Sequence, residues 1–175
     1  AVYSGNLAMP FIDWVLIHLI ATENPQVDFV FVGPNMEVLI EDVHQNMAKQ
    51  SVLTLANSFF IGRVESKELL PYLVSADILL VAYQEEYHAD QSNPHKLMEY
   101  FGSKKMIVAT YSDEYKELAL RNLLLMTKYN KDFPYMFKRA LAELEFWNSE
   151  EKQDARQAFA LDNTYDRQID RIEQI

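Results

Sequence analysis

The sequence predicts an α/β domain built on one parallel sheet covered by helices on both faces, and three observations carry that expectation. Short apolar runs alternate with helical stretches along the whole chain. Several of those runs are nearly continuous rather than alternating, the pattern of strands buried on both faces. Three of the four glycines, Gly5, Gly33 and Gly62, directly follow strand-like runs.

Each element has its own local reason. Val2-Tyr3-Ser4 is a short first strand, stopped at Gly5-Asn6. Pro10 to Thr22 carries Phe11, Trp14, Val15, His18 and Leu19 at helical spacing. Asp28-Phe29-Val30-Phe31-Val32 is a second strand, ended by Gly33-Pro34. Asn35 to Gln50 reads as a polar, weakly patterned helix. Ser58 to Ile61 is a strand stopped by Gly62. Ser66 suits a helix cap, with Glu68 in the first turn of a helix reaching about Ser75. Ile78 to Ala82 is a buried strand, and the polar segment Tyr83 to Ser92 follows it. A helix runs from Pro94 to about Ser103, then a strand from Met106 to Ala109. Ser112 caps a helix to about Leu120, and Leu123 to Met126 forms a last short strand. Phe133 to Trp147 is one amphipathic helix and Glu150 to Ala160 another, with Asn163 or Thr164 capping a final one. The sum is a three-layer, Rossmann-like, doubly wound parallel sheet of about six strands with C-terminal helices. Ligands of such sheets bind beyond the carboxyl ends of the strands, at the switch point.

Composition narrows the function classes. A chain of 175 residues suits one domain with a substantial core. It begins at Ala1 directly before a strand, which reads as a fragment of something longer. The absence of cysteine excludes disulfides, thiolate metal sites and cysteine nucleophiles, and fits a cytosolic setting. A net charge of −10 argues against binding a nucleic-acid backbone. No apolar run approaches the length of a membrane span, and no signal peptide is visible. Ten tyrosines and ten phenylalanines sit mostly in apolar runs, so core packing explains them better than base stacking.

The motif richest in chemistry is Asn93-Pro94-His95-Lys96-Leu97-Met98-Glu99-Tyr100. Asn93 suits an N-cap and Pro94 the first helical position. A helix start offers unpaired N–H groups and a partial positive charge, hence an anion site. Lys96 adds a full charge beside it, and Glu99, one turn on, offers a carboxylate for two hydroxyls. A ribose diphosphate presents those groups; a capped surface helix with a solvated Lys/Glu face explains them as well. G-x-G-x-x-G, G-x-x-x-x-G-K-[ST] and G-x-S-x-G are all absent. His18 reads as a core residue and His44 as solvent-facing. His88 with Asp90 and Glu86 is weak evidence for a metal, and none is expected.

Beyond that helix, the sequence resembles the carboxyl-terminal domain of GT-B glycosyltransferases. The residues are Phe60-Ile61-Gly62-Arg63-Val64, Glu68-Leu69-Leu70, Tyr72-Leu73, Ala76-Asp77-Ile78-Leu79-Leu80, the helix motif above, and Lys105-Met106-Ile107-Val108-Ala109-Thr110. Phe159-Ala160 and Asn163-Thr164-Tyr165-Asp166-Arg167 resemble its closing helices. The resemblance is narrowest to the family-four retaining enzymes, and Met9-Pro10-Phe11-Ile12-Asp13-Trp14 is similar to a bacterial polysaccharide-type subgroup.

The resemblance implies a single nucleotide-sugar-binding domain over residues 1–175, with 148–175 as closing helices and the acceptor domain absent. It implies transfer of a hexosyl-type sugar from a UDP- or GDP-sugar to a saccharide or lipid-linked acceptor, in polysaccharide biosynthesis, with no cofactor and no metal. The fragment alone would bind donor and transfer nothing, catalytic residues lying in the missing half. Its setting would be cytoplasmic, or peripheral at the inner membrane through that half. Gly5 and Asn6 would approach the phosphates, and the strand-end turn at Gly33 would belong to the same nucleotide-binding rim. Gly62, Arg63 and Val64 would meet the base. The helix start at Asn93, Pro94, His95 and Lys96 would take the diphosphate, and Glu99 the ribose. Three departures stand out. Gln91 occupies the place of a sugar-contacting glutamate. No basic pair follows the first strand. Ser103, then Lys104, replaces a usual glycine. A degenerate, non-catalytic nucleotide-binding or scaffold domain is the alternative, and a flavodoxin-like domain ranks behind both.

Overall fold

A computed structural model of the chain describes residues 1–35, 41–87, 95–164, 167 and 169. Six strands form one parallel sheet: β1 (Val2–Ser4), β2 (Phe29–Val32), β3 (Ser58–Gly62), β4 (Ile78–Val81), β5 (Met106–Ala109) and β6 (Leu125–Met126), in the order β3-β2-β1-β4-β5-β6. The chain steps outward from β1 to β3, then crosses to the other side of β1. Right-handed crossovers then place helices on opposite faces of the two halves, which makes the sheet doubly wound. This order also rules out the flavodoxin-like alternative, whose order is 2-1-3-4-5.

The helices are α1 (Trp14–Glu23), α2 (Val43–Thr54), α3 (Ser66–Ser75), α4 (His95–Gly102), α5 (Lys116–Leu120), α6 (Phe133–Ala142), α7 (Leu144–Trp147) and α8 (Glu150–Asp162). α1 packs on α2 and α6, and α4 packs on α8. Aromatic residues fill the core. Phe31 stacks on Phe60 at 4.6 Å, Trp14 lies 5.7 Å from Phe31, and Phe29 lies 5.6 Å from Phe137.

Several element boundaries differ from the sequence expectation for identifiable reasons. α1 begins at Trp14, not Pro10, because Asp13 is its cap and accepts from Leu16 N at 2.9 Å. α2 begins at Val43, where Asp42 accepts from His44 N and Gln45 N. Ser66 is the first residue of α3; the cap is Glu65, whose N–H donates to Glu68 Oε2 at 3.4 Å. The stretch after Ser112 opens as a 3-10 turn, Asp113–Tyr115, before α5. The helix expected over 133–147 breaks at Glu143 into α6 and α7, with Glu143 taking φ −113°. β3 is an edge strand whose Phe59 and Ile61 face outward, so it alternates instead of being buried on both faces. His44 is exposed as expected, whereas His18 is only half-buried. Of the expected closing helix, residues 165, 166, 168 and 170–175 lie outside the described residues.

The resemblance places its usual glycine at Ser103, whereas the left-handed residue of this turn is the next one. Lys104 takes the left-handed conformation, φ 70°, where glycine is favoured. Its ammonium pairs with Asp154 at 3.0 Å, and its carbonyl accepts from Arg156. Arg156 is fully buried on α8 and donates to three carbonyls: Leu123 at 2.9 Å, Lys104 at 3.0 Å and Trp147 at 2.7 Å. Burial lowers its pKa to about 10. Asn148 works beside it, accepting from Met106 N and donating to the Asp77 carbonyl, both at 2.9 Å. Arg156→Met leaves three buried carbonyls without donors, so a loss of about 3 kcal/mol or more in urea unfolding is the expected result. A loss under about 1 kcal/mol would show that α8 is held by apolar contact alone.

Candidate functional site

The switch point lies between β1 and β4. These strands are in register only at Val2 and Leu79. Past that pair, the Tyr100 hydroxyl from α4 bridges them. It accepts from Ser4 N at 2.8 Å and donates to the Leu80 carbonyl at 3.3 Å. A side chain from a crossover helix thus stands where the next strand-to-strand bonds would be.

Lys96 enters the same crevice. As a residue it is half-buried, yet its Nζ is shut off from solvent and has no hydrogen-bond partner among the described residues. Nζ lies over the Tyr3 ring at 3.9 Å, the Tyr83 ring at 4.6 Å and the Tyr100 ring at 5.9 Å. Burial lowers its pKa to about 7, partly opposed by the field of Glu99. Burial likewise raises all three tyrosines, Tyr100 to about 12. The sequence reading expected an exposed cation in the first turn of the helix. The structure instead turns it inward beneath aromatic faces. Glu99 is exposed, so the two residues do not share one solvated face.

The three glycines lace the neighbouring strand ends. Gly5 N donates to the Val32 carbonyl and Gly33 N to the Gly62 carbonyl, both at 2.9 Å. All three have positive φ: 135°, 147° and 82° for Gly5, Gly33 and Gly62. Gly33 faces the Gly5 carbonyl so closely that a Cβ there would lie 1.8 Å from its oxygen. Asn6 follows, exposed, its Oδ1 accepting from Ala8 N at 3.0 Å. Arg63 is exposed and Val64 half-buried at the end of β3, two strand spacings from β1, or about 10 Å. Gln91, Asn93 and Pro94 lie outside the described residues, as does the side chain of His95.

Residues the sequence reading did not single out wall this rim. The segment between Asn6 and Asp13 folds across it. Leu7 N donates to the Pro34 carbonyl, Asp13 N to Ala82 and Gln84 N to Phe11. Lys49 from α2 donates to the Leu7 carbonyl at 3.1 Å. Asn130 Nδ2 donates to Asp13 Oδ2 at 2.8 Å and to the Tyr83 carbonyl at 2.7 Å, fixing the loop after β6 to both. Phe11 and Asp13 had a signal in sequence as part of the Met9–Trp14 resemblance, and Tyr100 as the aromatic residue beside Glu99; Leu7, Lys49 and Asn130 had none. No cluster of three metal-ligating side chains occurs among the described residues, where His88 and Asp90 do not fall. No helix among them is long and apolar enough to cross a membrane.

The fold is the one seen in the carboxyl-terminal half of solved GT-B glycosyltransferases. The evidence is structural. No family model matches the sequence, and no curated protein does. Among solved structures, HepE of Anabaena, crystallised with UDP, superposes with a TM-score of 0.67 at 14% identity, over 91% of this chain and 43% of that one. Sucrose-phosphate synthase of Thermosynechococcus elongatus gives 0.69 at 14% identity, over 99% and 44%. The carboxyl-terminal domain of a group 1 glycosyl transferase, LpcC of Francisella tularensis, gives 0.62 at 16%, over 87% and 82%. The chain therefore spans less than half the length of the two longer proteins and most of the isolated domain.

Proposed function

We propose that this chain is the donor-binding domain of a retaining glycosyltransferase that uses a nucleoside diphosphate sugar. The single observation that carries the reading is the unpartnered Lys96 amine at the switch point, beside strand ends whose glycines leave the backbone bare. HepE, which shares the fold, was crystallised with UDP and with UDP-glucose. Here the donor is a UDP- or GDP-sugar. The acceptor, a saccharide or lipid-linked sugar of a cell-surface polysaccharide, meets a second domain across the cleft.

The chemistry asked of these residues is leaving-group stabilisation. As the glycosidic bond to the donor phosphate breaks, negative charge grows on the diphosphate. N–H groups at the start of α4 and the Lys96 ammonium oppose that charge in a water-poor crevice, where their field is strongest. Gly5 and Gly33 let backbone approach the phosphates without a Cβ in the way. Glu99, exposed one turn along α4, accepts from the ribose hydroxyls and fixes the nucleotide without proton chemistry. Arg63 and Val64 flank the base, and Gln91 takes the donor-sugar contact as a neutral group.

The test is calorimetric titration of the chain with UDP, GDP and ADP, beside Glu99→Ala. One nucleotide saturates, and the variant binds it about ten- to a hundredfold more weakly, the worth of one or two bonds to a charged acceptor. The absence of a basic pair after β1 favours a second reading, a degenerate scaffold. A folded chain that binds none of the three nucleotides would establish that one instead.

A further inference from the structure

The crevice holds a lysine in a setting that a simple anion clamp does not require. A phosphate-binding lysine works as an exposed point charge with hydrogen-bonding water or a ligand around it. Lys96 Nζ has neither water access nor a hydrogen-bond partner, and three aromatic faces surround it. Those faces come from separate elements: Tyr3 from β1, Tyr83 from the turn after β4, and Tyr100 from α4. Around Nζ, among the described residues, the titratable groups are these three tyrosines and Glu99, on the same helix. The tyrosines are held neutral by burial, which leaves Glu99 as the negative field on the amine among the described residues.

Building on the donor reading, we propose that burial within the tyrosine cage, away from water and hydrogen-bond acceptors, leaves Lys96 a neutral amine above pH 7 in the free chain, and that a nucleoside diphosphate then binds with uptake of one proton at Lys96. The diphosphate supplies what the cage lacks, negative charge and hydrogen-bond acceptors, and so favours the ammonium. The burial-lowered pKa of about 7 agrees with this geometry. The proton comes from solvent and resides on Nζ while the anion is bound. Affinity for nucleotide therefore falls as pH rises above 7, by about tenfold per pH unit for one proton.

Calorimetric titration with UDP, GDP and ADP between pH 7 and 8.5 tests this, in buffers of different ionisation heat. The terminal phosphate of these nucleotides ionises near about pH 6, so at pH 8 it adds almost no proton traffic. The expected result is most of one proton taken up at pH 8 and a tenfold loss of affinity per unit. Lys96→Arg, charged throughout, should bind without that slope. In the free chain, the Lys96 Cε resonance should titrate near pH 7. Saturable binding with no proton uptake, or a free-chain midpoint above about 9, overturns this inference and leaves the donor reading standing. No binding of any probe at pH 7 by the folded chain overturns both.

Discussion

Lys96→Met makes the chain more stable and deprives it of its nucleotide affinity. Removing an ammonium from water costs several kcal/mol even after relaxation. Contact with an aromatic face returns about 2 kcal/mol when desolvated. Nζ has such faces at 3.9 Å and 4.6 Å but no hydrogen bond, so the balance stays unfavourable. The dependence on pH has a definite sign. Folding lowers this cation's pKa to about 7, while in the unfolded chain it stays near the ordinary lysine value of about 10.4. Below pH 7 both states carry the proton and the penalty is complete. Between pH 7 and about 10 the unfolded chain holds the extra proton, so stability rises with pH. Urea midpoints measured from pH 6 to 9.5 should climb in the natural chain. Lys96→Met should lack that contribution and be more stable at pH 6, by on the order of 3 kcal/mol. Its affinity for the nucleotide that saturates the natural chain should fall by at least tenfold. A variant less stable than the natural chain at pH 6 would show the cage to be a good home for the cation. Such opposition of stability and function is what a preorganised site demands.

The sheet was legible because each strand is a short apolar run closed by a turn residue, and that signal is local. Phe11 and Ile12 extend the helical pattern of α1, and nothing local distinguishes them from it. Tertiary structure decides: Ile12 bridges Tyr83, and Gln84 N donates to the Phe11 carbonyl, so the helix starts at Asp13. Glu143 sits in a stretch of unbroken amphipathic spacing. There, its carboxylate accepts from both Arg139 and Trp147, and the helix divides. The candidate site divides the same way. The glycines announce themselves as turn residues after strands. The cage does not, because Tyr3, Tyr83 and Lys96 meet only once three crossovers have set β4 beside β1. The sequence also could not show the direction in which Lys96 points, since a first-turn lysine faces solvent unless some distant group offers a better surface.

Gly33→Ala should be the most damaging single methyl group that can be added to this rim. Its Cβ would lie 1.8 Å from the Gly5 carbonyl oxygen and 2.7 Å from the carbonyl carbon. Both are backbone atoms, and Gly5 is tied through its N–H to Val32 on β2. Neither partner can withdraw by rotating a side chain, so the strand ends must separate. At φ 147° the residue is also outside the range an L side chain tolerates. Overpacking against fixed backbone and the conformational penalty together put the loss at about 4 kcal/mol or more. Gly62→Ala separates the two causes. That position also has positive φ, 82°, but no atom lies within 4 Å of a Cβ built there. Its cost should be the conformational one alone, about 1–2 kcal/mol. Equal losses for the two variants, measured by urea unfolding, would mean that backbone conformation matters at Gly33 and the close approach to Gly5 does not. A large gap would establish that β1 and β2 end in direct backbone contact, which holds the floor of the crevice at a fixed distance from Lys96.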